Sequence, residues 1–280
     1  MDPKRKIMNK QKLIAAILAG VCIVCLLILA VKGFSRKTLR PDVVFFGDSR
    51  VGNDRTDTAL PVLLEKATGL DVYNAGIGAT GMAVLGDGSA WDRYSMVYLS
   101  EAIVNNDFSA IHAASPDNYY KYNEIVGYVG NTVKDIESID FQNVKYIIVE
   151  QVTNDYLSGV PLYDENDPFN VNTFAGAFRT TVNNLKKAAP NAEIIVISPC
   201  FTFTISGYGD ELDLGYGTEE DYAEYERELA LETGVSFVDY YHDSGINRDN
   251  WKDYLFDGLH MNDEGNRVLI ELILKKLKQD

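Results

Sequence analysis

The sequence predicts an α/β domain with a parallel sheet and helices on both of its faces. Two observations carry this. From about residue 41 onward, short β-branched runs alternate with stretches of helical spacing. The strongest runs, Asn143–Glu150 (NVKYIIVE) and Glu193–Ser198 (EIIVIS), hold blocks of consecutive apolar residues instead of an in–out alternation. That is the pattern of strands covered on both sides.

Residues 1–12 form a basic tail. Leu13 to Val31 (LIAAILAGVCIVCLLILAV) is an uncharged apolar run of 19 residues, enough to cross a bilayer core as a helix. The run ends in Ala30-Val31-Lys32 without a small-x-small cleavage site, so an uncleaved transmembrane anchor is expected in place of a signal peptide. Cys22 follows Val21, not a small residue, which argues against a lipoprotein signal. Five basic residues precede the run and four follow it, a slight bias for orientation. A single N-terminal anchor ahead of a long polar domain places that domain outside the cytoplasm. Residues 32–40 are a linker able to span about 30 Å.

The domain, residues 41–280, opens on Val43–Phe46, a buried strand. Thr56–Thr68 has helical spacing and stops at Gly69; Asp71–Asn74 is a second strand. Asn143–Glu150 and Glu193–Ser198 are the third and fourth. Between them Asn172–Ala189 reads as a helix ending before Pro190. Glu219–Thr233 is a helix closed by Gly234, Ser236–Asp239 a fifth strand, and Asp263–Lys278 a final amphipathic helix. Residues 82–140, rich in tyrosine, are far longer than a crossover requires. They form either a cap over one sheet edge or a structural insertion.

Charge excludes one class of partner. After residue 40 the chain carries 17 basic residues against 40 acidic ones. Nucleic-acid binders need a basic footprint, so no nucleic acid is expected. Cysteine usage gives no disulfide framework: Cys22 and Cys25 fall in the apolar run, and Cys200 has no partner in the domain.

In an open parallel sheet, sites form beyond the carboxyl ends of the strands. Gly47-Asp48-Ser49 follows the first strand, Asn74-Ala75-Gly76 the second, and Thr153-Asn154-Asp155 the third. Asp257-Gly258-Leu259-His260 stands just before the last helix. Together they supply a hydroxyl, an imidazole, a carboxylate and hydrogen-bond donors, the inventory of acyl transfer. Gly76-Ile77-Gly78-Ala79-Thr80-Gly81 matches a dinucleotide fingerprint in spacing. The next strand after it, however, comes only at Asn143, so no cofactor is expected. Asp164–Asn170 (DENDPFN) lacks the glycine and terminal glutamate of a calcium loop, and no metal is expected.

These four blocks, in this order, resemble the SGNH (GDSL-type) hydrolase family, whose hallmarks are a serine, a glycine, an asparagine and a histidine. Here they fall on Ser49 in GDS, Gly76 in NAGIG, Asn154 in TND and His260 in DGLH. The resemblance implies a three-layer αβα, flavodoxin-like fold with a mostly parallel five-stranded sheet and an esterase-like activity. Three features depart from the family pattern. Val152 stands where a glycine is usual, Arg50-Val51-Gly52 follows the serine, and the 82–140 insertion exceeds the minimal form. On this reading Ser49 is the nucleophile, His260 its base and Asp257 the carboxylate that orients the imidazole. The oxyanion would be met by the Ser49 and Gly76 backbone amides and the Asn154 side chain. Asp48 and Asp155 are expected to brace the loops, and Arg50 and Arg179 to form salt bridges, with contact to an acidic or sugar substrate as the alternative. The expectation is a membrane-anchored serine esterase acting on small acyl esters, acetyl groups on carbohydrate ahead of lipid or aryl esters, which stay open. Its alternatives are an O-acyltransferase to a sugar hydroxyl and a binding domain that keeps the fold without the activity.

Overall fold

Four apolar residues in a row, Val43–Phe46, can be buried together only where a strand is covered from both sides. They form β1 (Val43–Gly47) in a computed structural model that describes residues 37–86, 90–114 and 127–278. Leu39–Asp280 is one compact unit. The basic tail, the apolar run 13–31, the linker up to residue 36, and Cys22 and Cys25 lie outside the described residues. Among the described residues no helix is long and apolar enough to cross a membrane.

The remaining strands are β2 (Val72–Asn74), β3 (Tyr146–Glu150), β4 (Glu193–Ile197), the short hairpin β5 (Phe203–Thr204) and β6 (Gly207–Tyr208), and β7 (Ser236–Val238). Five of them make a parallel sheet in the order β2-β1-β3-β4-β7. Alternate residues of each strand serve opposite faces. Val44, Phe46, Ile147 and Val149 meet the Phe174–Ala188 helix through Phe178, Val182 and Leu185. Val43, Phe45, Ile148 and Ile195 meet Leu60 and Leu64 of the Leu60–Thr68 helix and Leu269, Ile270 and Ile273 of the Asp263–Leu277 helix. The result is the three-layer α/β sandwich that the strand–helix alternation predicts.

Local signals place the helix ends. Thr218 and Asp221 form a reciprocal capping box at the start of the Glu219–Thr233 helix, and Gly234 closes it with φ 65°. Asn262 accepts from Glu264 N and Gly265 N, so the last helix begins at Asp263, three residues after His260. The first long helix starts at Leu60, not Thr56, because Asp54 gathers Thr56 and Thr58 into a side-chain-bonded turn ahead of it. The described part of the insertion is helical, and its Met96–Asn105 helix packs on the Phe174–Ala188 helix, with Asn184 donating to Ser100 at 3.2 Å. This part thickens one helical layer; residues 87–89 and 115–126 of the insertion lie outside the described residues.

One buried group works against this packing. Glu226, on the inner face of the Glu219–Thr233 helix, is fully buried, and among the described residues neither carboxylate oxygen has a hydrogen-bond partner. Burial, followed by the nearby Glu150, Asp155 and Asp239, raises its pKa well above the ordinary value. An acid raised in the folded state is fully accommodated below its unfolded pKa, and stability falls as pH climbs through the raised value. Glu226→Gln keeps the shape and removes the ionisation. It is expected to leave Tm unchanged near pH 4 and to raise it at pH 8 by about 2–4 °C for each kcal/mol recovered. Paired thermal melts at the two pH values measure this.

Candidate active site

The turn after β1 is built by close approach. A Cβ on Gly47 would collide with the Val51 side chain and stand 2.9 Å from the Glu150 carbonyl oxygen, so only glycine lets the chain turn here. The buried Asp48 then accepts from Arg50 N at 2.9 Å and caps the short Ser49–Gly52 helix. Ser49, at the first helical position, is thereby lifted beyond the sheet edge.

The Asp257–His260 turn meets it from the far end of the sequence. His260 Nε2 lies 2.9 Å from Ser49 Oγ, and His260 Nδ1 lies 2.7 Å from Asp257 Oδ2. Asp257 Oδ1 accepts from the backbone N–H groups of Leu259 (2.9 Å) and His260 (2.7 Å), which fixes the carboxylate against the ring. Partial burial would raise the Asp257 carboxyl, but these hydrogen bonds outweigh it and hold the group below the usual carboxylate range. With Asp257 ionised, Nδ1 carries the proton and Nε2 is left to accept from the serine. Phe256, 70% exposed, stacks on the imidazole at 5.6 Å with an interplanar angle of 17°.

The amide donors differ from the sequence expectation. The Gly76 N–H is spent on Asn74 Oδ1 at 3.1 Å. Gly76 is itself buried against Gly52, where a Cβ would stand 2.6 Å from the Gly52 nitrogen. Its glycine is required by packing, and this corrects its placement as an oxyanion donor. The Asn154 amide also has both protons committed, to Thr80 O at 2.9 Å and to Asp48 Oδ2 at 3.2 Å. Among the described residues, neither the Ser49 nor the Ala79 backbone N–H on this edge has an acceptor. Ala79 is exposed, holds φ 57°, and shares a small cavity with Asn154. A non-glycine residue at positive φ is a signal visible only in the structure.

The bracing acids behave as expected. Asp155 is buried and accepts from Met82 N (2.7 Å) and Ala83 N (2.8 Å), tying the start of the insertion to the turn after β3. Burial pushes its carboxyl up to about 7, against the pull of those two amides. Val152, in place of the usual glycine, is fully buried with φ −140°. With ψ −26° the residue lies outside the extended region, but its φ is negative, so the asparagine turn does not need the conformation reserved for glycine. His112 pairs with Glu137, and His242 with Asp239 and Glu220, both away from Ser49. Arg179 is committed to Glu232 by two bonds of 2.7 Å.

The profile of the GDSL-like lipase/acylhydrolase family matches residues 45–268, from the first strand into the last helix. The chain belongs to this family. No curated protein matches it in sequence. Among solved structures, it is similar to a protein from Lactobacillus plantarum (TM-score 0.60, 19% identity, 87% of this chain and 99% of that one). It is also similar to a possible lipase from Chitinophaga pinensis (TM-score 0.52, 17% identity, 85% and 97%). A third likeness is to a salicylyl-acyltransferase from a tetracycline biosynthetic pathway (TM-score 0.51, 16% identity, 87% of this chain and 56% of that one). At these identities the likenesses establish the shared fold.

Within this GDSL-family framework Ala79 carries a local cost, because an L-residue in the left-handed region loses about 1–2 kcal/mol. Ala79→Gly is expected to keep the loop and to raise Tm by a few degrees at most. Ala79→Val, branched at Cβ, is expected to lower both Tm and activity. Thermal melts and ester-hydrolysis rates on the two variants check this. The opposite order would show that the residue does not hold this conformation in solution.

Proposed function

We propose that the protein is a serine esterase that cleaves small acyl esters through an acyl-Ser49 intermediate. The observation that carries the reading is the unbroken chain from Asp257 Oδ2 through the two imidazole nitrogens of His260 to Ser49 Oγ. Ser49 Oγ attacks the ester carbonyl while His260 Nε2 takes its proton, and Asp257 stabilises the resulting imidazolium. The tetrahedral intermediate collapses as the imidazolium gives that proton to the departing alcohol. A water molecule, deprotonated by the same nitrogen, then releases the acid and restores the serine.

In this reading the oxyanion is received by the Ser49 and Ala79 N–H groups. Asn154 joins by exchanging its longer, 3.2 Å bond to Asp48 for one to the substrate oxygen. Each such donor is worth on the order of 3 kcal/mol in the transition state.

The groove beside Ser49, about 1020 Å³, bears on the substrate. Phe256, Leu60 and Met261 give it apolar surface; Asn53, Asn262 and Asn266 give amide groups; Asp54, Asp263 and Glu264 give carboxylates. Glu264 pairs with Arg267, and Asp54 is held below the usual range because its bonds to Thr56 and Thr58 outweigh its partial burial. An exposed aromatic face among amides and carboxylates suits a hydroxylated, uncharged alcohol such as an acetylated sugar, and opposes an anionic one. The 19-residue apolar run supports the further proposal that the domain is tethered to a membrane and works on its outer side.

Three measurements test the proposal. Ser49→Ala is expected to abolish both fluorophosphonate labelling and p-nitrophenyl acetate hydrolysis, and wild-type protein that stays unlabelled would favour a binding domain. Asp257→Asn is expected to lower kcat by roughly 10²–10⁴-fold while preserving the fold. With matched acetyl esters, a carboxylate on the alcohol is expected to raise KM several-fold at low salt, and the difference to shrink with added salt. Including a sugar acceptor and analysing products separates hydrolysis from transfer.

A further inference from the structure

Arg50 is the residue after the nucleophile, yet its guanidinium turns away from the groove and inward. The side chain is 1% exposed. Nε donates to the Leu259 carbonyl at 2.9 Å, and Nη1 donates to Thr153 Oγ1 at 2.6 Å and to Glu150 Oε1 at 3.3 Å. Each contact falls next to a residue of the site. Arg50 directly follows Ser49, Thr153 directly precedes Asn154, and Leu259 directly precedes His260. Glu150, the fourth corner, ends β3 and pairs in register with Gly47, so the anchor point is the sheet itself.

We propose that the buried Arg50 guanidinium is a positioning group that locks the serine, asparagine and histidine turns into one register. The proposal rests on the acyl-Ser49 reading. The three turns come from places about 100 to 210 residues apart in sequence, and among the described residues no main-chain hydrogen bond joins the Leu259–His260 turn to the Ser49 turn. Without the fork, the one directional contact between the two turns is that between the His260 and Ser49 side chains; the apolar packing of Val51 with Leu255 and Met261 has no fixed direction. A planar guanidinium spreads its donors over separate nitrogens in fixed directions and so reaches acceptors on three different turns, whereas the three donors of an ammonium share one flexible nitrogen.

The alternative is that Arg50 and Glu150 form a buried ion pair that matters for folding alone. The double variant Arg50→Met/Glu150→Gln removes the donors and the Arg50–Glu150 pair together, and because it leaves Asp48 and Glu219 buried without their cation it is read beside Thr153→Val, which keeps every charge in place. Active sites are counted by fluorophosphonate titration and kcat is expressed per titrated site. A positioning role is expected to lower kcat per site by about 10- to 100-fold with KM changed by less than about threefold. Arg50→Lys, which restores charge but not the fork, is expected to remain low. Thr153→Val, nearly isosteric, cuts one arm and is expected to lower kcat per site by a smaller factor; it serves as the test if the double variant does not fold. A double variant with fewer titratable sites but wild-type kcat at each would overturn the proposal, as would full rescue by lysine. Wild-type protein that does not label at Ser49 would overturn the esterase reading and the proposal with it. A labelled wild type beside an unchanged variant would overturn the positioning role alone.

Discussion

Parallel strands all finish on the same edge, and that constraint does most to place the chemistry of this chain. β1 lies between β2 and β3, with Phe45 opposite Asn74 and Gly47 opposite Glu150. Three loops from distant parts of the sequence therefore leave the sheet within a few ångströms of one another. The glycine at the end of β1 is what turns this proximity into a raised serine, because no side chain fits between Val51 and the Glu150 carbonyl. The histidine turn arrives from outside the sheet and needs its own fastening. Asn262 caps the helix behind it, and Leu259 is held from within by Arg50.

The edge is also where the molecule accepts unfavourable burial. Asp48, Glu150, Asp155, Glu219 and Glu226 are all buried, with Arg50 as the cation among them. Burial raises the carboxyls of Asp48 and Glu150, and takes Glu219 up to about 7. Arg50 Nη2, Glu150 Oε2 and Glu219 Oε1 lack hydrogen-bond partners among the described residues. A core chosen for stability alone would fill this space with apolar side chains. Polar groups here give directional contacts to turns that apolar packing would leave free to slide, at a cost in stability carried by the two apolar layers.

Much of this was legible in the sequence. Periodicity places the five strands and the four helices that pack on the sheet to within a few residues, since continuous apolar runs and Gly or Pro stops have little alternative meaning. Ser49, Asp257 and His260 were legible through their order and the polar residues that follow each strand. Gly76 was misread because a glycine near a site can serve packing as well as chemistry; only its contact with Gly52 tells the two apart. Ala79 was hidden because positive φ in alanine leaves no trace in composition. Arg50 was seen as a salt-bridge residue. Its bond to Leu259, 209 positions away, is a tertiary fact that no local pattern encodes.

The central claim is that Ser49 carries the acyl group between two halves of one reaction. Acid-quenching the enzyme during turnover of an activated acetate ester, digesting it and weighing the peptides tests this most directly. The account predicts one acetyl group on the Ser49 peptide, appearing within the first turnover and disappearing when the ester is exhausted. Continued hydrolysis with that peptide unmodified at every quench time, or acetylation of another residue that turns over at the catalytic rate, would contradict it.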